Sequence, residues 1–131
     1  MTDNKTRVLI VDDDPDFRLQ QRVQLEAAGC EVLEASSRDQ AHAMLASEQF
    51  DIAMVDLMME EMDAGFTLCR EIKRKDASIP IIMITAVASE AGMEFSASTS
   101  EERSWIKADA MLAKPVRFEQ LEREMKRLLK K

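Results

Sequence analysis

The chain has 131 residues, 46% apolar and 33% charged, and its 18 basic against 25 acidic side chains leave a formal charge of −7. That length suits one domain with one core and predicts no separate output module, while the acidic balance predicts no direct DNA binding, because attraction to phosphates needs a Lys/Arg surplus on some face. The longest apolar runs, such as 79–84 interrupted by Pro80, fall short of the roughly 18 residues a spanning helix needs, and MTDNKTR has no apolar signal region, so no membrane insertion and a cytoplasmic location are expected.

Residues 1–6 read as a flexible tail ahead of a domain over 7–131. Short runs rich in Val, Ile and Met alternate with stretches of helical period, the pattern of βα units around a parallel sheet. Strands are expected at 8–11, 31–34, 52–55, 81–84 and 110–113, most of them apolar throughout, as strands covered on both faces should be. The fold class that follows is α/β, a doubly wound sandwich.

Asp14 can cap a first helix with Pro15 at its first position, and Gly29 closes it. Its stripe is imperfect: Phe17, Leu25 and Ala28 share a face, Gln20, Gln21 and Gln24 lie on or beside it, and Leu19 and Val23 fall off it. Ser37 and Gln40 have capping-box spacing, followed by Ala41, Met44 and Leu45 at helical intervals. Residues 86–103 are small and polar with one Gly, and read as a loop until Thr99 and Glu102 offer a second capping box. Two pairs, Leu19 with Val23 and Trp105 with Ile106, are open to two readings, partial core or docking surface. After Pro115, Phe118, Leu121, Met125 and Leu128 recur at three- and four-residue intervals, with Lys126, Arg127, Lys130 and Lys131 at the negative end of the helix dipole.

Cys30 and Cys69 form no CxxC and the chain has one His, so neither a disulfide framework nor a zinc site is expected, and both read as core thiols. His42 stands alone on a predicted helix and is expected at the surface. Met58, Met59 and Met62 read as adaptable packing.

Asp12, Asp13 and Asp14 follow the first strand, Asp56 the third and Lys114 the fifth, while Thr85 closes the fourth. In open parallel sheets such strand ends meet in the crevice where strand order reverses, so groups distant in sequence can share one pocket. Gathered carboxylates repel, by about 4 kcal/mol for a pair about 4 Å apart at an effective dielectric near 20. A divalent cation with hard oxygen ligands would offset this; one that keeps water positions open for phosphate suits Mg²⁺, with Mn²⁺ the alternative, and Lys114 adds a fixed positive charge.

VLIVDDDP, MVDLMMEEMDAGF, IIMITA and MLAKP, in that order across almost the whole chain, resemble a response-regulator receiver domain, of the stand-alone, chemotaxis-regulator-like kind. The resemblance implies a flavodoxin-like (βα)5 fold with strand order 2-1-3-4-5, in a cytoplasmic bacterial or archaeal protein of two-component signalling. It implies a phosphoacceptor rather than an enzyme, one that promotes its own phosphorylation and dephosphorylation. Asp56 would take the phosphoryl group from a sensor histidine kinase or phosphotransfer protein. Asp12, Asp13, Asp56 and the backbone carbonyl of Met58 would hold Mg²⁺, with Asp12 acting mostly through water. Lys114 would pair with the phosphoryl group or Asp56, the Thr85 hydroxyl would bond a phosphoryl oxygen, and Ala86 would offer its backbone N–H. Pulling Thr85 inward would then bias the output face toward an unspecified protein target, as a monomer or a phosphorylation-dependent dimer.

Three departures stand against the family pattern. Where the family has Pro four and Gly eight positions after the phosphoacceptor, this chain has Glu60 and Ala64, with Gly65 one place later. The switch position, Tyr or Phe in the family, is Met111, so ring rotation cannot report activation. Extra residues between Thr85 and Lys114 fall in 86–103. The two positions that tune phosphoryl lifetime, Met58 and Val87, are apolar and can neither orient a water nor act as a base, which predicts slow self-dephosphorylation. Two alternatives are a phosphorylation-independent interaction module on the same fold and a phosphohydrolase of the haloacid dehalogenase type, with Asp12 as nucleophile. The latter lacks the acidic residue or pair that such enzymes carry on a further strand after the Lys.

Overall fold

The computed structural model describes residues 5–56, 64–85 and 108–129. Five strands, β1 (Arg7–Val11), β2 (Glu31–Ala35), β3 (Ile52–Asp56), β4 (Ile81–Thr85) and β5 (Ala110–Ala113), form one parallel sheet in the order β2-β1-β3-β4-β5. Four helices are described: α1 (Pro15–Ala27), α2 (Arg38–Ser47), α3 (Ala64–Lys75) and α4 (Phe118–Leu129). Each expected strand is present, and four of them run one residue further than their apolar letters do, to Arg7, Ala35, Asp56 and Thr85. Backbone pairing continues there although the side chain turns polar or small.

Alternation along the strands sorts the core into two layers. Leu9, Val11, Ala53, Val55, Ile81 and Met83 face Ala41, Leu45, Leu68, Cys69 and Ile72 of α2 and α3. Val8, Ile10, Ile52, Met54, Ile82 and Ile84 face Phe17 and Leu25 of α1 and Leu121 and Met125 of α4. β3 and β4 are buried along their whole length, which is why they read as unbroken apolar runs. Fully burying such a Leu or Ile side chain contributes about 1.5–3 kcal/mol, so these two layers dominate stability.

The helix ends follow from local chemistry. Asp14 caps α1 by accepting the Asp16 N–H at 3.0 Å, with Pro15 at the first helical position. Past Ala28 the chain turns through Gly29 at φ +94°, a left-handed conformation that glycine adopts without penalty. Ser37 caps α2 by accepting the Gln40 N–H at 3.1 Å; the Gln40 side chain returns to the backbone and hydroxyl of Ser36 rather than to Ser37.

The face of α1 differs from its sequence reading. Its buried residues are Phe17, Gln21 and Leu25, spaced four apart, while Ala28 is exposed because the helix has ended by then. Leu19 and Val23 are 50% and 56% exposed, which excludes the core reading for them. Cys69 is a core thiol, whereas Cys30, in the turn before β2, is only half-buried. His42 is exposed as expected and meets Glu71 of α3, Nδ1 to Oε1 at 3.1 Å. Trp105 with Ile106, the Thr99 and Glu102 capping box, the loop 86–103, Met58, Met59, Met62, Lys130 and Lys131 lie outside the described residues.

Candidate functional site

The strand ends converge because the sheet is in register there. Val11 stands beside Val55, Asp56 beside Ile84 and Thr85 beside Ala113. Two backbone bonds carry the pairing just past the strands: the Asp12 N–H donates to the Ala35 carbonyl at 3.1 Å, and the Lys114 N–H to the Thr85 carbonyl at 2.8 Å. Asp12, Asp56, Thr85 and Lys114 are thus delivered to one end of the sheet by β1, β3, β4 and β5.

Carboxylate oxygens of Asp12, Asp13 and Asp56 all lie within 4.8 Å of one another. Asp12 and Asp56 are 1% and 4% exposed and Thr85 is buried beside them, while Asp13 reaches solvent. The Lys114 ammonium answers this charge, with Nζ 2.9 Å from Asp12 Oδ2 and 4.0 Å from Asp56 Oδ2. It also lies 4.4 Å from the centroid of the Phe17 ring. The resemblance pairs Lys114 with the phosphoryl group or Asp56; the nearer carboxylate is Asp12, the more deeply buried of the two.

Asp12 is held at three further points. Its Oδ1 accepts the Asp14 N–H at 2.9 Å, its own N–H pairs with β2, and its carbonyl accepts Arg18 Nη1 at 2.7 Å. Arg18 Nε continues to Glu34 Oε1 at 3.1 Å, and Arg22 meets the other Glu34 oxygen at 2.7 Å, so α1 is tied to β2 across the site's floor. Neither Phe17 nor Arg18 is legible as a site residue from periodicity. The available signal is their place in the first turns of the helix that Asp14 caps.

The donor set fits a hard cation. Three carboxylates against one ammonium leave an excess of two negative charges in a largely buried place, and the cluster contains no imidazole or thiolate, a set suited to Mg²⁺ or Mn²⁺ rather than zinc or copper. Asp12, Asp13 and Asp56 would hold it. Met58, Ala86 and Val87, together with the altered position Glu60, lie outside the described residues, while Ala64 and Gly65 open α3. Met111 lies on β5 with its side chain partly buried against the layer of α2 and α3. Beside Lys114 an open cleft of about 560 Å³ is lined by Asp16, Phe17, Leu19, Gln20, Pro115 and Val116 among others.

Comparison with known proteins agrees with this arrangement. The family model described as the response regulator receiver domain matches residues 8–126. ResD of Bacillus subtilis, a transcriptional regulatory protein, is 40% identical over 88 residues, covering 67% of this chain and 36% of that protein. The heme response regulator HssR of Staphylococcus saprophyticus is 35% identical over 126 residues, covering 96% of this chain and 52% of that one. The chain spans 34–50% of the length of three other curated relatives and of ResD. Among solved structures, a CheY-like receiver domain protein of Methanospirillum hungatei superposes with a TM-score of 0.81 at 28% identity, covering 97% of this chain and 95% of that one. TrrA of Thermotoga maritima, in complex with Mg²⁺ and a beryllium fluoride, superposes with a TM-score of 0.75 at 28% identity, covering 94% and 98%. With its sheet order, its acidic pocket and a family match over nearly its whole length, the chain belongs to the response regulator receiver domains of two-component signalling.

Proposed function

We propose that this receiver accepts a phosphoryl group on Asp56 from a histidine kinase or phosphotransfer protein, in a Mg²⁺-dependent reaction, and signals by a conformational switch to a protein partner. The observation that carries the reading is the meeting of Asp12, Asp13 and Asp56 within 4.8 Å, with the Lys114 ammonium between Asp12 and Asp56. An Asp56 carboxylate oxygen attacks the phosphorus of a phosphohistidine; the O–P bond forms as the N–P bond breaks, and the imidazole nitrogen leaves with the electron pair. When bound, Mg²⁺ supplies charge neutralisation between the carboxylates and the phosphoryl oxygens. Asp12, Asp13, Asp56 and the Met58 carbonyl are its proposed ligands.

The chain's own groups do the rest. Lys114 meets the negative charge on the transferred group, the Thr85 hydroxyl donates to one of its oxygens, and the Ala86 N–H to another. The inward pull on Thr85 is the proposed switch, with Met111, which has no ring to rotate, at the family's switch position. The charge of −7 supports output by this domain through protein contact rather than DNA contact. Apolar Met58 and Val87 support a long-lived phospho-Asp56, whose half-life should exceed that of receivers with polar residues at both positions; an equal or shorter one argues against that tuning. The hydrolase alternative, with Asp12 as nucleophile, is disfavoured because, among the described residues, no strand follows β5 to carry the further acidic residue or pair that such enzymes need.

Incubation with Mg²⁺ and acetyl phosphate, read by intact mass, tests the proposal. A stoichiometric phosphoryl adduct, absent from Asp56→Asn, is expected. No adduct with any small donor or phosphohistidine partner would reject it.

A further inference from the structure

We infer that Phe17 is a positioning residue for Lys114, a role that rests on the phosphoacceptor reading above. The lysine lies on β5's exit and the phenylalanine on α1, and nothing in the backbone register joins them. Yet the ammonium stands 4.4 Å from the ring centroid, within cation–π range. Phe17 is itself 8% exposed, packed in the layer formed by Val8, Ile10 and Leu121. A ring so enclosed cannot follow a moving ammonium; the ammonium must come to the ring.

The arrangement gives a lysine three neighbours with different demands. Asp12 holds Nζ at 2.9 Å, Asp56 draws on it from 4.0 Å, and the ring supplies a third, uncharged attraction. A four-carbon stem has many rotamers, and only those that keep Nζ beside Asp56 serve phosphoryl transfer. The ring face adds an attraction that favours the rotamers in which the ammonium stands beside Asp12 and Asp56. A leucine at position 17 keeps an apolar side chain in that layer without the electron-rich face, so the chain still folds, at some loss of packing, and loses the hold on the ammonium.

The test compares the wild type, Phe17→Leu and Phe17→Trp. In a chain carrying ¹³C-labelled lysine, with the Lys114 signal assigned by Lys114→Arg, the wild-type Lys114 ε-methylene protons should resonate upfield of the other lysines through the ring current. That shift should vanish in Phe17→Leu and persist in Phe17→Trp. The initial rate of acetyl phosphate uptake with Mg²⁺, read by intact mass, should fall roughly three- to tenfold in Phe17→Leu and recover in Phe17→Trp. An ordinary lysine shift in the wild type overturns the inference. So does a Phe17→Leu chain as fast as wild type, or a slow one that Phe17→Trp does not rescue. A wild type that shows the shift but takes up no phosphoryl group overturns the reaction itself and with it this role, whereas normal uptake by wild type and Phe17→Leu alike overturns the role alone.

Discussion

Cys69 shows how a residue's surroundings set its chemistry. Burial in the layer of α2 and α3 pushes its thiol up to about 12, Lys73 pulls against that rise and Asp109 adds to it. The folded chain therefore keeps its proton where the unfolded chain has lost it. Stability from this source is complete below pH 9 and declines as pH rises between 9 and about 12. Two outcomes follow. Denaturant midpoints of Cys69→Ala should fall less steeply across that window than those of the wild type, and iodoacetamide at pH 8 should label half-buried Cys30 well before Cys69. Gln21 is the opposite case, a polar group at a core position: it is 1% exposed and its Oε1 has no hydrogen-bond partner among the described residues. Replacing it with Met keeps the length and removes the stranded acceptor, so Gln21→Met should stabilise by about 1 kcal/mol, measured as a raised urea midpoint at unchanged slope.

At the level of elements, local signals did most of the work wherever they were local in cause. Asp14, Pro15 and Gly29 bound α1 because caps and turns are decided by neighbours in sequence. The strands were visible because β3 and β4 have no solvent face to interrupt their apolar run. The pocket was legible too: Asp12, Asp13, Asp56, Thr85 and Lys114 sit at strand ends, and register does the rest. What sequence could not carry is the pairing of side chains across elements. The Phe17–Lys114 contact, the Arg18 bond to the Asp12 carbonyl, and the Lys73 ammonium shared between the Ile79 carbonyl and Asp109 all depend on rotamers that no periodicity records. The α1 stripe misled for a related reason, since Gln21 takes a core place that Leu19 and Val23, on the outer side, leave open. Gly29 gives a clean check of an element boundary. A Cβ there would meet nothing within 4 Å, so Gly29→Ala should cost only backbone strain, roughly 1–2 kcal/mol by chemical denaturation. A neutral result would mean that α1 ends in a different conformation.

For the whole molecule, the acidic pocket sets function against stability. Three carboxylates and one ammonium hold an excess of negative charge that a bound divalent cation would relieve, which would link its binding to folding. Mg²⁺ at ten times its dissociation constant should add about 1.4 kcal/mol and raise the melting temperature, while Asp13→Asn should raise the metal-free value and blunt the Mg²⁺ response. A melting temperature indifferent to millimolar Mg²⁺ would contradict the pocket. The open sheet carries one further consequence. Its first edge is β2, and strand edges can template pairing with other chains. Here that edge presents Glu31 and Glu34, and the second of these is also the carboxylate that gathers Arg18 and Arg22. One side chain thus serves as a gatekeeper against intermolecular β-pairing and as an anchor for α1. Glu34→Val would turn EVLEA into EVLVA and remove both protections together, so light scattering at high concentration should rise in that variant before its helix content falls.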